Sequence, residues 1–380
     1  MPKTVERIAL NSPSPGTTRR LLVHRYGQPG ARPKAYLQAS LHADETPAMM
    51  VAHHLIRLLD AADAQGAIKG EIVLVPVANP VGLAQNTNGY LLGRHELSGG
   101  GNFNRNWPDL YKDLPARVRA KLGPDAARNV EIVRAALREI VAELSGGSEF
   151  ASLRVALARL AADADFVFDL HCDDDALMHL YMLPQHWPDA ADLSAEIGSR
   201  ATMLSDDSGG HSFDETFGTP WVKLAQAVGP ATPVPPACMS ATIEYRGQAE
   251  VADEINEADA RALYRFFQRR GLIAGDPGPL PAAQCEGTRL DATEVLRTPV
   301  AGILAYKQAL GARVKKGDLI AEILDPLAED RTKARTALHA GTDGLILSRR
   351  QHKMVRPGDS VAKIVGTVPL ASRQGYLLED

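Results

Sequence analysis

Short apolar runs that alternate with helical segments constrain the fold of this chain most. Residues 71–77, 165–170 and 240–245 are almost continuously apolar, which is typical of strands that are buried on both faces. Between the strands, apolar residues recur at helical spacing over about 47–62, and Thr46 is the predicted N-cap of that helix. Strands that alternate with helices predict an α/β fold in which helices flank a mixed sheet.

The remaining segments of the first 273 residues extend this pattern. Two further strands are predicted at 20–26 and 34–40. Residues 81–108 are rich in Gly and Asn and predict a long loop, and long ordered loops in compact domains are often functional. Residues 112–162 have helical spacing and are broken into two helices at 146–148.

The composition changes at residues 274–290, which are rich in Pro and Gly and predict a linker. After it, a weak internal repeat pairs the stretch from Ala301 with the stretch from Gly341. Each half contains Val-x-x-Gly-Asp, and we expect each Gly-Asp to be a hairpin turn between short strands. The predicted organisation is a hydrolase domain at 1–273, the linker, and a small β-sandwich module at 291–380.

Composition excludes several classes of protein. The 42 Lys and Arg against 46 Asp and Glu give a net charge of −4, which disfavours nucleic acid as a partner. No run approaches 18 apolar residues and the first ten residues lack an apolar signal core, so we expect neither membrane span nor leader. The three cysteines (Cys172, Cys238, Cys285) are scattered, which favours a reducing cytoplasm. The sequence leaves open whether the protein forms a homo-oligomer.

Two imidazoles and one carboxylate follow predicted strands, where open α/β sheets place ligand sites. His42 and Glu45 are three residues apart after one strand, and His171 directly follows another. Such a set is common at catalytic zinc sites and leaves a fourth position for water, so we predict one zinc ion per chain. Taken singly, H-x-x-E is a weak indication of a metal, and a histidine after a strand is more often a capping or core residue.

A carboxylate in a buried run and an Asn-Arg pair in the Gly- and Asn-rich loop complete the candidate site. Burying Glu244 is costly unless the carboxylate is paired or neutralised, and burial raises its pKa towards the working range of a proton shuttle. Arg105 offers a bidentate fork for a substrate carboxylate, with Asn104 as its neutral partner. An Asn-Arg pair in a loop is usually a surface feature, so the prediction depends on all the pieces occurring together.

The order of these motifs resembles the zinc carboxypeptidase-like superfamily and, more narrowly, the succinylglutamate desuccinylase/aspartoacylase family. The resemblance spans about residues 35–250 and rests on H-A-D-E at 42–45, N-P at 79–80, N-R at 104–105, D-L-H at 169–171 and the glutamate at 244. It implies a three-layer carboxypeptidase-like sheet with flanking helices. The C-terminal module would then be a β-sandwich that is similar to a barrel-sandwich hybrid.

The resemblance also implies roles for the candidate residues. The three ligands hold zinc, the buried glutamate is general base and acid, and the Asn-Arg pair binds the substrate carboxylate. Arg94 is similar in position to the arginine that polarises the scissile carbonyl in this family, although its spacing from Asn104 is longer than we expect. The implied activity is a zinc-dependent amidohydrolase (deacylase) that cleaves a small N-acyl amino acid or related amide with a metal-activated water.

Several alternatives remain at this point. Asp173, Asp174 and Asp175 either cap a helix through Tyr181 or place a carboxylate that favours a substrate bearing an amine. Arg246 is either an ion-paired strand residue or a neighbour that lowers the pKa of Glu244. The internal repeat resembles biotinyl and lipoyl carriers but lacks Met-Lys-Met, so we favour a cap over the active site. A metallo-carboxypeptidase acting on peptides and a non-catalytic binding protein are the alternative functions.

Overall fold

A computed structural model describes residues 3–378; residues 1, 2, 379 and 380, at the ends of the predicted domain ranges, lie outside the described residues. The strands up to residue 290 are β1 (Thr4–Ala9), β2 (Arg20–Tyr26), β3 (Lys34–Ala39), β4 (Glu71–Val75), β5 (Asn86–Thr87), β6 (Tyr90–Leu91), β7 (His95–Glu96), β8 (Gly101–Asn102), β9 (Phe166–Asp173), β10 (Asp175–Ala176), β11 (His179–Met182), β12 (Ala201–Leu204), β13 (Met239–Gly247) and β14 (Gly287–Arg289). The helices are α1 (Thr46–Ala64), α2 (Pro80–Leu83), α3 (Leu114–Val118), α4 (Ala126–Glu143), α5 (Glu149–Ala161), α6 (Ala191–Glu196), α7 (Phe213–Val228) and α8 (Asp253–Arg269), with 3₁₀ turns at Pro184–His186, Leu290–Ala292 and Arg331–Lys333.

A nine-stranded mixed sheet organises this part of the chain, in the order β1-β2-β4-β3-β9-β13-β11-β12-β14. At its centre β4, β3, β9 and β13 run parallel. The predicted mixed α/β fold with a large mixed sheet is confirmed. The edge strand β14 comes from residues that the sequence assigns to the linker, because their backbone pairs with β12 despite the surrounding Pro and Gly.

Strand alternation gives the large sheet two buried faces. Tyr36 on β3 packs in one hydrophobic cluster with residues of α4, α5 and α7. The next residue, Leu37, packs in the other cluster with residues of α1 and α8. Because successive side chains point to opposite faces, one apolar run supplies both clusters, and helices cover both sides of the sheet.

The C-terminal residues form two small sheets that share one hydrophobic cluster. Their strands are β15 (Thr293–Arg297), β16 (Gly302–Tyr306), β17 (Arg313–Val314), β18 (Leu319–Leu324), β19 (Arg335–His339), β20 (Gly344–Arg349), β21 (Met354–Val355) and β22 (Ser360–Val365). Strand β16 pairs with β18 and β21, and β20 pairs with β22 and β17. Corresponding strands of the two sequence repeats therefore exchange partners in the same way.

Two local predictions about turns and caps are wrong. Gly317-Asp318 and Gly358-Asp359 do not close hairpins, because β17 and β18, and likewise β21 and β22, pair into different sheets. Thr46 is not the N-cap of α1, since the helix begins at that residue and Glu45 occupies the cap position without a capping side-chain bond. The side chain of Glu45 is committed to other contacts, described below.

No helix within residues 3–378 combines the length and the apolar character that crossing a membrane requires.

Candidate active site

His42 and Glu45 lie in the tight connection between β3 and α1. Ser40 ends the strand with a φ of 56°, and its hydroxyl donates to the Glu45 carbonyl oxygen at 2.7 Å. From the side, Asn79 donates its amide to the carbonyl oxygen of Leu41 at 2.8 Å. These bonds fix the backbone on both sides of His42, so its side chain is held before any ligand binds.

Three side chains converge at one point. Glu45 Oε1 lies 2.9 Å from His42 Nδ1, and Glu45 Oε2 lies 2.6 Å from His171 Nδ1. One ligand atom from each residue can be chosen so that all lie within 4.8 Å of one another, and each side chain is at most 3% exposed. His171 lies within β9 rather than after a strand as predicted, because the ladder with β13 continues past it.

The outer nitrogens of both imidazoles have acceptors of their own. His42 Nε2 lies 2.8 Å from Asn102 Oδ1, and His171 Nε2 lies 2.8 Å from Asp169 Oδ2. Neither oxygen can donate when the amide is oriented in this way and the carboxylate is ionised, so each Nε2 carries the proton. The tautomers assigned from these bonds leave both Nδ1 lone pairs directed at the convergence point, the arrangement that metal-binding histidines require.

Asp169 is in turn held by a buried chain of polar groups. Gln38 donates its amide to Asp169 Oδ1 at 3.0 Å, and Tyr36 donates its hydroxyl to Gln38 Oε1 at 2.8 Å. Asn104 donates to the second Asp169 oxygen at 3.3 Å. A fully bonded network of this kind restricts the orientation of His171.

The electrostatic field at this point favours positive charge. Burial alone would raise the pKa of Glu45, but the His171 and His42 imidazoles outweigh it and lower that pKa well below its usual value. For His171, Asp169 and Glu45 outweigh burial and raise the pKa well above its ordinary range. Burial and the Arg94 guanidinium lower the pKa of His42 to about 3. The two carboxylates thus attract a cation, while His42 stays neutral and able to ligate.

Arg94 reaches the site from a small hairpin. Its Nη1 lies 3.3 Å from both Glu45 Oε1 and His42 Nδ1. Gly93 packs so closely on the loop before α1 that a Cβ there would lie 2.4 Å from the Asp44 nitrogen. The long spacing from Arg94 to Asn104 is explained by the hairpin of β7 and β8, which brings the two ends together.

Glu244 lies beside His171 on the neighbouring strand. The two residues are register partners in the parallel pair β9–β13, so their side chains share a face of the sheet. Its buried Oε2 has no hydrogen-bond partner among the described residues. Burial raises the pKa of Glu244 to about 8, and the Glu45 carboxylate adds to the rise. This carboxyl can therefore hold or release a proton near neutral pH.

Asn104 and Arg105 lie at the same cavity but have different contacts. Asn104 accepts from the Phe213 amide at 2.8 Å, and its Nδ2 lies 3.3 Å from His171 Nε2. Its amide thus links β9 to the start of α7. Arg105 is 8% exposed, donates from Nη1 to its neighbour's carbonyl oxygen at 2.9 Å and donates from Nε to Tyr376 Oη at 2.9 Å.

All the residues above that the sequence assigns to the site line one cavity of about 940 Å³, including its open mouth. This volume is in the range of small-molecule sites. Its walls come from the large sheet, the C-terminal sheets and the last described residues: His42, Glu45, Arg94, Asn104, Arg105, His171, Cys172, Asp173, Tyr181, Met182, Leu183, Met203, Ser205, Ser208, Ser212, Asp214, Glu215, Thr242, Glu244, Leu290, Thr293, Val295, Lys363, Arg373, Leu377 and Leu378.

The acidic run after His171 does not start a helix. Residues 173–182 contain β9's last residue and the strands β10 and β11, so the helix-cap interpretation is wrong. Asp173 lines the cavity and accepts from Lys363 Nζ at 2.6 Å, while Asp175 accepts from Arg349 at 2.7 Å. These carboxylates pair with cations of the C-terminal sheets. Arg246 is an ion-paired strand residue, bonded to Asp259 at 3.1 Å.

Sequence reasoning missed Asn102, Asp214 and the function of Asp169. The signal for Asp169 was available, since residues two apart on a strand share a face and Asp169 precedes His171 by two. Asn102 depends on a hairpin that the sequence does not mark. Asp214 is a buried cavity residue that accepts from the Ser212 hydroxyl at 2.6 Å; burial and Glu215 raise its pKa to about 7.

The comparisons with known proteins agree with the fold and the motifs. Residues 31–136 match the model of the succinylglutamate desuccinylase/aspartoacylase catalytic domain, a segment that includes His42, Glu45, Arg94, Asn104 and Arg105. The resemblance to this family is confirmed. Comparison with curated protein sequences gives no match.

Solved structures of the succinylglutamate desuccinylase/aspartoacylase group share the fold over nearly the whole chain. One from Shewanella frigidimarina NCIMB 400 has a TM-score of 0.82 at 24% identity and covers 96% of this chain and 97% of its own. A family protein from Shewanella amazonensis SB2B has 0.81 at 24%, covering 95% and 98%. The product-bound ectoine utilization protein EutE (DoeB) from Ruegeria pomeroyi has 0.67 at 18%, covering 96% and 95%. At these identities the likeness establishes the fold.

Proposed function

We propose that this protein is a zinc-dependent deacylase that hydrolyses the amide bond of a small N-acyl amino acid or a related amide. The observation that carries the proposal is the convergence of His42, Glu45 and His171 on the wall of a closed cavity that also presents Arg105 and Glu244. The match to the desuccinylase/aspartoacylase catalytic domain supports the amide as the bond that is cleaved.

The donor set fits zinc. Two neutral imidazoles and one carboxylate leave a net positive centre, and both histidines have the outer acceptors that are typical of zinc ligands. A zinc ion bound there would lower the pKa of a water molecule and polarise an amide carbonyl. The buried Asp169 supports the same positive charge from behind His171.

Glu244 is positioned to move the protons of the reaction. A pKa of about 8 leaves its carboxyl close to equal populations of both protonation states near neutral pH, although a cation in the site would lower this value. It can accept a proton from the attacking water and return it to the leaving amine. The lack of a hydrogen-bond partner for Oε2 among residues 3–378 leaves that oxygen available for this exchange.

The two arginines have separate roles in this proposal. Arg94 places positive charge 3.3 Å from the ligand atoms of His42 and Glu45, where negative charge develops on the scissile carbonyl. Arg105 lies at the same cavity and binds the carboxylate of the amino-acid part. Carbonyl polarisation and substrate orientation are thus divided between two side chains.

The C-terminal module acts in this proposal as a cap that limits substrate size. Thr293, Val295 and Lys363 come from its sheets and line the cavity together with the ligands. A peptide chain extending from the cleavage site would have to pass between these walls. This enclosure favours a small acyl amino acid over the C-terminus of a peptide.

Metal analysis combined with a substrate screen tests the proposal. We expect about one zinc ion per chain in the purified protein, and hydrolysis of at least one N-acetyl, N-succinyl or other N-acyl amino acid. His42→Ala should lose both zinc and activity. The matched control is His53→Ala, which alters an exposed histidine on α1 and should retain both.

Two results would contradict the proposal. Wild-type protein without zinc affinity, or H42A that binds zinc as the wild type does, would exclude this centre. Hydrolysis of peptides at their C-termini, with no activity on N-acyl amino acids, would indicate a metallo-carboxypeptidase instead.

A further inference from the structure

We propose that the last described residues, 373–378 (the tail segment), form a specificity wall of the substrate cavity, and that Tyr376 positions Arg105 for the substrate carboxylate. This inference rests on the proposed deacylase function. It assigns part of the substrate selectivity to a segment that follows the C-terminal sheets and returns to the large sheet.

Backbone hydrogen bonds hold the tail segment against the hydrolase part of the chain. Leu370, just before it, donates its amide to the Asp291 carbonyl oxygen at 2.9 Å. Leu377 donates its amide to the Ser208 carbonyl oxygen at 2.7 Å, and Arg373 Nη2 donates to the Leu377 carbonyl oxygen at 2.6 Å. The segment is therefore anchored at its start and near its end.

Two glycines of the loop before α7 make the close approach of the tail segment feasible. A Cβ on Gly209, whose φ is +82°, would lie 2.9 Å from the Tyr376 Cα. A Cβ on Gly210 would lie 2.6 Å from a Leu378 methyl group and 3.1 Å from Arg105 Cδ. Any larger residue at these positions would push the tail segment away or displace Arg105, so the packing depends on glycine.

Side chains of the tail segment complete the cavity wall. Leu377 is 9% exposed and packs in a small cluster with Met203 and Leu290, which also line the cavity. Arg373 and Leu378 line the same cavity. A substrate in the cavity thus meets the apolar surface of two leucines and a second guanidinium from the tail segment.

Tyr376 acts on Arg105 from the outer side. Its hydroxyl accepts from Arg105 Nε at 2.9 Å, and Asn104 O accepts from Arg105 Nη1 at 2.9 Å. Two acceptors on different parts of the planar guanidinium restrict its rotation, which pre-orients the fork that binds a carboxylate. The Tyr376 residue is 45% exposed, so loss of its hydroxyl removes this bond without opening the core.

Tyr376→Phe tests the positioning role by the split between KM and kcat. We expect KM for the best N-acyl amino acid to rise about 3- to 10-fold, as for the loss of one hydrogen bond to a charged group, with kcat changed less than about 2-fold. The matching N-acyl amino-acid carboxamide, which has no carboxylate for Arg105, should be hydrolysed at an unchanged rate. Tyr90→Phe is the matched control, since Tyr90 is 70% exposed on β6 and is not among the cavity residues.

Leu378→Ala tests the wall independently. We expect this variant to hydrolyse substrates with longer acyl or side chains faster relative to the wild type, because a side chain that borders the cavity is shortened. Selectivity equal to the wild type in both Y376F and L378A, with an active wild-type enzyme, would overturn the inference alone. A wild type that neither binds zinc nor hydrolyses any N-acyl amino acid would overturn the proposed function, and this inference with it.

Discussion

Glu45 is the residue on which the candidate centre depends most, because each of its carboxylate oxygens contacts a different histidine. Its backbone ends the loop before α1, and its Oε2 also accepts from the Cys172 amide at 3.2 Å. One side chain thus ties the β3–α1 connection to β9. Any change that rotates this carboxylate separates the two imidazoles.

Asp169→Asn tests the outer support of His171. An amide cannot supply two anionic oxygens to Gln38, Asn104 and His171, so the His171 ring loses its fixed tautomer and part of its basicity. We expect zinc affinity to fall about 10- to 100-fold, measured by competition with a chromophoric chelator. Asp207→Asn, in the exposed loop before α7, is the control. Equal zinc affinity in D169N and wild type would contradict this role.

The ligand residues could be predicted from the sequence because each occurs in a short local motif next to an apolar run. His42, Glu45, His171 and Glu244 all reach the cavity as proposed from those motifs. Asn102 could not be predicted in the same way. Its contact with His42 spans 60 residues and depends on how the β7–β8 hairpin folds back.

At the scale of elements, strands were easier to predict than the turns between them. The apolar runs that became β4, β9 and β13 are marked by burial on both faces, which a sequence shows directly. The acidic residues 173–175 were interpreted as a helix cap because their partners, Lys363 and Arg349, lie far along the chain. Local preference was overridden there by pairing with distant strands.

The 3₁₀ turn at Pro184–His186 makes stability depend on pH. His186 is buried, its Nε2 accepts from the Ser240 amide of β13 at 3.3 Å, and burial lowers its pKa to about 4 from an ordinary value of 6.5. The unfolded chain therefore takes up a proton at a higher pH than the folded one. The stability that neutral His186 provides is complete above about pH 6.5 and is lost as the pH falls towards 4.

For this single group we expect the free energy of unfolding to decrease by about 1.4 kcal/mol per pH unit between those values. His186→Gln keeps an acceptor for Ser240 but does not titrate. Urea unfolding at pH 7.5, 6, 5 and 4.5 should give a shallower pH dependence for H186Q than for the wild type. Identical slopes would show that His186 is not neutral in the folded state.

At the scale of the whole molecule, the C-terminal sheets are joined to the large sheet next to the cavity. Strand β10 pairs with β20, and Lys363 of β22 donates to Asp173 of β9 at 2.6 Å. Lys363 and the cation-binding position beside His171 thus lie on either side of one carboxylate. The internal repeat and the change in composition indicate a separate module, but only the three-dimensional pairing shows which of its strands meet the site.

Lys363→Gln tests this junction. It leaves the buried Asp173 carboxylate without its ammonium partner, and we expect the free energy of unfolding to fall by about 3 kcal/mol, measured by urea denaturation. Lys316→Gln, an exposed lysine in a turn of the module, should change it by less than about 0.5 kcal/mol. Adding Asp173→Asn to K363Q should restore part of the loss. A K363Q variant as stable as K316Q would exclude a stabilising pair.

Anomalous diffraction at the zinc absorption edge, from crystals of the zinc-loaded protein, tests the central claim most directly. The account predicts one anomalous peak in the cavity, about 2.0–2.2 Å from the Nδ1 atoms of His42 and His171 and from a Glu45 oxygen. A peak at any other set of side chains, or a cavity that stays free of zinc in protein that has bound it, would contradict the account.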